Sequence, residues 1–135
     1  MDKPKRRKLS IKERTEVFIK TEGHCAYCGC KITFKEMQVD HVIALDGWEQ
    51  KGTDTIDNML PACRSCNHYK SRSTLENFRR NLEHMPSVLI RDNLTYRNAV
   101  RYGLVIPKHD PVIFYFEKIG LKIDNPELLQ EVAEK

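Results

Sequence analysis

The chain has 135 residues, of which 31% are charged and 40% hydrophobic, with a formal net charge of +4. That suffices for one modest domain with extensions but leaves little apolar material for a large core, so something besides burial is expected to help hold it together. No apolar run approaches the ~18 residues of a membrane span, and the opening MDKPKRRKLS has charge without the apolar stretch of a signal peptide, which predicts a cytoplasmic protein without a membrane partner.

Charge is unevenly placed. Residues 1–14 hold seven Lys or Arg against two acids, residues 64–101 eight against three, and residues 110–135 three against six acids. The basic regions permit a polyanionic partner, although solvated surface with an acidic tail reads equally well from charge alone.

In chain order, SIKERTEVFIKTEG starts with Ser10 and Glu13 at capping-box spacing and stops at Gly23, which predicts a short lead-in helix behind a basic arm, residues 1–22. A core is expected over residues 23–84. In it MQVDHVIAL has the β-branched character of a strand, NMLPAC is its antiparallel partner, and DGWEQKGTDTID is a long polar loop between them. NHYKSRSTLENFRRNLEHM then reads as helix, with a restart at Ser73 capped through Glu76 and an end at Pro86. Residues 85–135 form a C-terminal extension: a helix in RDNLTYRNAVRYG ending at Gly103, a strand in PVIFYFEKIG, and a helix in NPELLQEVAEK capped by Asn125 with Pro126 first.

Four of the five cysteines form two identical pairs, Cys25-x-x-Cys28 and Cys63-x-x-Cys66, separated by 34 residues. In a reducing compartment this is a zinc clamp before it is a disulfide framework, because each tight knuckle aims two thiolates at one ion. Cys30 is an alternative to Cys28, but its spacing has no counterpart in the second pair, so a spare thiol is expected there. Zinc closed by four thiolates folds a chain without activating water. Any catalysis must therefore lie elsewhere.

Asn67 directly follows Cys66, and the same clamp ties its helix to the segment that carries Asp40 and His41. Asp40 and Asn67 both offer oxygen donors, which suit a hard ion such as Mg²⁺ or Mn²⁺, and His41 has the titration range of a general base. Strand alternation aims Asp40 and His41 at opposite faces, so both serve one site only where the strand ends or bulges. Taken singly, each has a plain structural reading: a satisfied histidine, a turn carboxylate, and an Asx turn at Asn58.

Together, VDHV, Asn58 at 17 positions after His41, and CRSCNHYK resemble the HNH endonuclease family in its zinc-knuckle form, over roughly residues 23–80. The resemblance implies an α+β fold, a small ββα-metal (His-Me finger) core clamped by zinc, with flanking helices. It implies metal-dependent hydrolysis of DNA phosphodiester bonds, by nicking or double-strand cleavage, to 5′-phosphate and 3′-hydroxyl ends. His41 is then the general base, Asn58 holds the strand and loop that orient it, and Asp40 and Asn67 hold the catalytic ion. The third motif position departs from the family name, being Asn67 with His68 one residue later; a shifted register would use His68, about 100° round the helix, and otherwise His68 is left to touch phosphate. Lys70, Arg64 and Arg72 are expected to grip the DNA backbone or to be solvated surface. Trp48 and Lys51 reach a groove in the same reading, with core packing the alternative for Trp48. Small free-standing members look like bacteriophage or prophage products, which implies a bacterial host and, as partners, double-stranded DNA, a second copy of the chain, or a packaging protein. The competing class is a four-cysteine zinc finger that binds nucleic acid or protein without cutting.

Overall fold

The structure is a computed structural model, and it describes residues 7–47 and 51–123. Trp48 and the helix expected at Asn125 lie outside the described residues. The chain divides into two compact units, Met1–Leu75 with Ile113–Lys135, and Glu76–Val112.

In the first unit, α1 (Ile11–Ile19) begins as its sequence predicts: the Ser10 hydroxyl accepts from Glu13 N, and the Glu13 carboxylate accepts from Ser10 N, both at 3.1 Å. The Lys20 ammonium just past its end donates to the carbonyls of Ile56 and Met59, at 2.6 and 2.8 Å. Residues 23–32 turn back on themselves as the first knuckle, with Cys25 N donating to Cys30 O and Ile32 N to Gly23 O, each at 2.8 Å. Gly29 in this turn has φ +82°, and a Cβ there would stand 3.0 Å from the Tyr115 ring, so both conformation and space call for glycine.

The predicted strand pair is present but short. β1 (Gln38–His41) runs antiparallel to β2 (Met59–Ala62), with Asp40 opposite Leu60 and His41 opposite Met59. A 3-10 turn, Ile56–Asn58, leads into β2, whose four residues are all buried. α2 (Arg64–Lys70) follows at once, giving the order strand, strand, helix on one small sheet, an α+β arrangement as expected.

Three local expectations are corrected. The helix after the second knuckle breaks near the expected restart, with Ser71 at φ 50°, but the next helix begins at Leu75 and not from a Ser73 capping box, because the Ser73 hydroxyl donates to Lys70 O at 2.6 Å. α3 (Leu75–Asp92) runs through Pro86 and does not end there. An interior proline costs about 3 kcal/mol, yet Leu75, Phe78, Leu82, Met85 and Leu89 keep one apolar stripe at helical spacing across it. The third concerns PVIFYFEKIG, which forms no strand: residues 111–114 have no regular structure and Tyr115–Lys118 form α5.

That last segment has a strand-like composition for a different reason. Tyr115 N and Phe116 N donate to the carbonyls of Tyr27 and Ala26, at 3.0 and 2.8 Å, so the chain docks on the first knuckle. Phe114 and Phe116 are buried there, stacked 6.0 Å apart and each edge-on to Tyr27. Glu117 folds back to accept from Phe114 N at 2.9 Å and starts the helix.

In the second unit, α4 (Leu94–Arg101) is capped by the Asn93 side chain, which accepts from Tyr96 N at 2.8 Å, and the helix closes before Gly103 as predicted. Val112 is tied to α3, its carbonyl accepting from Arg79 at 2.6 Å and its N–H donating to Glu83 at 2.9 Å. No described helix is long and apolar enough to cross a membrane.

Because Phe114 supplies much of the apolar cover over the knuckle, Phe114→Ala is expected to destabilise the protein by about 3–5 kcal/mol. Urea unfolding followed by circular dichroism measures this, and a midpoint equal to wild type would show that the docked segment is dispensable.

Candidate active site and cysteine cluster

The four paired cysteines converge although they come from opposite ends of the core. One sulfur from each of Cys25, Cys28, Cys63 and Cys66 lies within 4.8 Å of all the others, and Cys28 Sγ is 3.9 Å from Cys63 Sγ. A zinc tetrahedron with bonds of about 2.3 Å has sulfur–sulfur edges of roughly 3.8 Å, so the cluster has the size of a metal site. Cys63 also caps α2, its sulfur accepting from Cys66 N at 3.4 Å. Crowding splits the thiols: the hydrogen bond with Cys66 draws Cys25 down to about 4 while the same bond pushes Cys66 up. Four thiolates this close repel one another, a cost that a cation among them would offset. Cys30 is exposed and outside the cluster.

Asn58 is fully buried and its side chain is saturated by backbone. Its Oδ1 accepts from Ile43 N at 2.9 Å, while Nδ2 donates to Ile43 O at 2.9 Å and to Thr53 O at 2.8 Å. It thus ties the end of the long loop to the residues just after β1. Gly52 fits beneath this clamp only because it lacks a side chain: a Cβ would fall 1.8 Å from Ile43 O and 2.7 Å from Asn58 Nδ2.

Asp40 and His41 take separate partners, as strand alternation requires. His41 is the last residue of β1 and 4% exposed; its Nε2 is 2.9 Å from Asp54 Oδ1, and its buried Nδ1 has no hydrogen-bond partner among the described residues. With Asp54, Arg7, Lys8, Arg14 and Lys35 it lines a cleft of about 490 Å³. Asp40, 2% exposed, accepts from the Tyr27 hydroxyl and lies 3.1 Å from the Lys70 ammonium, both through Oδ2. Burial raises the Asp40 carboxyl above its ordinary range despite the opposing pull of Lys70 and Tyr27, and it pushes the Tyr27 phenol well up as well.

The expectation that Lys70 grips a phosphate is corrected. Its side chain is buried, with the ammonium also donating to His41 O at 3.1 Å, because it points from α2 onto β1 and not into solvent. Asn67, three residues earlier on α2, shares that face by helical periodicity and is half-buried, whereas His68 is exposed. Arg64 and Lys51 are exposed, and Arg72 pairs with Asp46 at 3.4 Å. Asp54 and Tyr27 had no sequence motif to mark them; Asp54 stands four residues before Asn58, the only hint that the chain supplies.

The HNH endonuclease family model matches residues 25–73. Over 49 residues the chain is 39% identical to the CRISPR-associated endonuclease Cas9 of Corynebacterium diphtheriae, a stretch that is 36% of this chain and 4% of that protein. The crystal structure of the Type II-C Cas9 enzyme from Actinomyces naeslundii aligns over 52% of this chain and 8% of its own, at 23% identity and a TM-score of 0.46. The chain therefore spans a small fraction of either relative. The segment that the HNH endonuclease model matches, residues 25–73, holds both cysteine pairs, Asp40, His41, Asn58 and Asn67.

Proposed function

We propose that the protein is a metal-dependent endonuclease that hydrolyses DNA phosphodiester bonds to 5′-phosphate and 3′-hydroxyl ends. The observation that carries this reading is His41 inside an HNH segment, anchored through one ring nitrogen and with the other unpartnered. A zinc finger that only binds has no use for a buried imidazole presented in this way. Arg7, Lys8 and Lys35 around the cleft supply positive charge suited to a phosphate backbone, and Arg64 of α2 is exposed as well.

In this reading His41 takes the proton from water as its oxygen attacks phosphorus, the bond to the 3′ oxygen breaks, and that oxygen leaves as the alkoxide to be protonated by solvent. Asp40 and Asn67 offer hard oxygen donors that fit Mg²⁺ or Mn²⁺: both bonds to the Asp40 carboxylate fall on Oδ2, so Oδ1 takes part in neither. A divalent ion held there supplies charge neutralisation at the phosphate and the departing oxygen. The four cysteines hold structural zinc, as the all-sulfur donor set and its dimensions favour.

The wild-type protein should nick supercoiled plasmid in Mg²⁺ or Mn²⁺, and His41→Ala should lose at least ~10²-fold in rate, the scale of a general base, while keeping its DNA affinity. Undiminished turnover by His41→Ala removes the imidazole from the chemistry.

Cys66→Ser should yield insoluble or protease-sensitive protein with less than one equivalent of zinc, since metal binding here is coupled to folding. A folded variant with full zinc by elemental analysis contradicts the four-cysteine site.

Asn67→Ala should require more Mg²⁺ or Mn²⁺ for cleavage, and His68→Ala should keep the wild-type metal response. Cleavage measured across a series of divalent ions separates the two, and a changed response at His68 alone favours the shifted register.

A further inference from the structure

We propose that Asp54 is a positioning residue for His41: its carboxylate accepts from Nε2–H and thereby holds the imidazole in the tautomer whose lone pair sits on Nδ1. The proposal rests on the nuclease reading for its catalytic consequence, but the tautomer itself is a property of the protein alone.

The geometry carries it. Asp54 Oδ1 is 2.9 Å from His41 Nε2, and Asp54 Oδ2 accepts from Arg7 N, also at 2.9 Å, so each oxygen has its own donor. Arg7 Nε donates to the Asp54 carbonyl at 3.1 Å, and the carbonyl of the preceding Thr53 is held by Asn58 Nδ2 at 2.8 Å. The residue is therefore gripped from the N-terminal arm on one side and from the Asn58 clamp on the other. An ionised carboxylate can only accept, so Nε2 must carry the proton. Nδ1 is buried without a partner among the described residues. As an N–H it would be an orphaned donor, whereas as a lone pair it is a base with room for one proton.

Asp54 is kept in the accepting form. Burial works to raise its carboxyl, but the hydrogen bonds from Arg7 N–H and His41 outweigh it and leave the group below the ordinary carboxylate range. This also gives Asn58 a route to the chemistry without touching substrate: its amide fixes Thr53, the neighbour of Asp54, and Asp54 fixes His41. The second letter of the motif acts through a residue that the motif does not contain.

Two measurements on the zinc-loaded 135-residue chain test this. In long-range ¹H–¹⁵N spectra recorded along a pH series, the form of wild-type His41 with a single ring proton should show a protonated Nε2 and a bare Nδ1, and Asp54→Asn should show the two tautomers mixed. A wild-type spectrum with the proton on Nδ1, or an unchanged tautomer in Asp54→Asn, overturns the proposal. In plasmid nicking, Asp54→Asn should lower kcat about 10- to 100-fold with KM near wild type, and Asp54→Glu should recover part of the loss. A purely structural role would instead leave kcat intact per folded, zinc-containing molecule, and that result also overturns it. Should wild type cleave nothing with any divalent ion, the nuclease reading falls, and the nitrogen spectrum still decides the role of Asp54.

Discussion

The buried ion pair between Asp40 and Lys70 joins the only sheet among the described residues to the helix that follows it. Asp40 lies on β1 and Lys70 at the last position of α2, with the ammonium 3.1 Å from the carboxylate and bonded as well to the carbonyl of His41. Two charges taken from water repay their desolvation only when their remaining bonds are satisfied, and here the Tyr27 hydroxyl supplies another. Removing one partner of such a pair costs about 3–5 kcal/mol, so the seating of α2 on β1 is strongly specified. The face of α2 that Lys70 defines is the one on which Asn67 falls.

The cysteine cluster acts on the same helix from its other end. Cys63 caps α2 and Cys66 lies in its first turn, while Cys25 and Cys28 belong to a knuckle whose backbone is covered by the returning segment at Phe114 and Phe116. Tyr27, between Cys25 and Cys28 in sequence, packs on those two aromatic rings and reaches Asp40 with its hydroxyl. One short stretch thus links the sulfur cluster, the C-terminal cover and the buried carboxylate. A protein with few core residues gains rigidity at a site by making the same residues serve several layers.

The described residues of the loop between the strands are held by polar bonds as well as by the buried Val42 and Ile43. Asn58 spends its whole side chain on Ile43 and Thr53, Gly52 passes beneath it, and Asp54 emerges to meet His41. Saturated amides of this kind are stiff because any displacement breaks several hydrogen bonds at once. In the nuclease reading, that stiffness is what a base needs, since its proton acceptor must be held before substrate arrives.

What the sequence by itself determined is local and repetitive. The paired Cys-x-x-Cys knuckles, the capping box of α1, the two strands, and the helix ended by Gly103 follow from spacing and short-range chemistry, which any window of residues reports. The resemblance to the HNH family, whose model matches residues 25–73, was legible for the same reason. Tertiary structure decided the rest. Lys70 reads as a surface cation until its helix is laid on a strand bearing Asp40, and Asp54 reads as a loop residue until Asn58 folds the loop onto His41. PVIFYFEKIG has strand composition, but its aromatic residues answer to the knuckle they cover, and Pro86 fails to stop a helix whose apolar stripe continues past it. Each of these depends on a partner distant in sequence or on a whole face of a helix, and burial, ion pairing and hydrogen-bond satisfaction are set by such partners and not by neighbours along the chain.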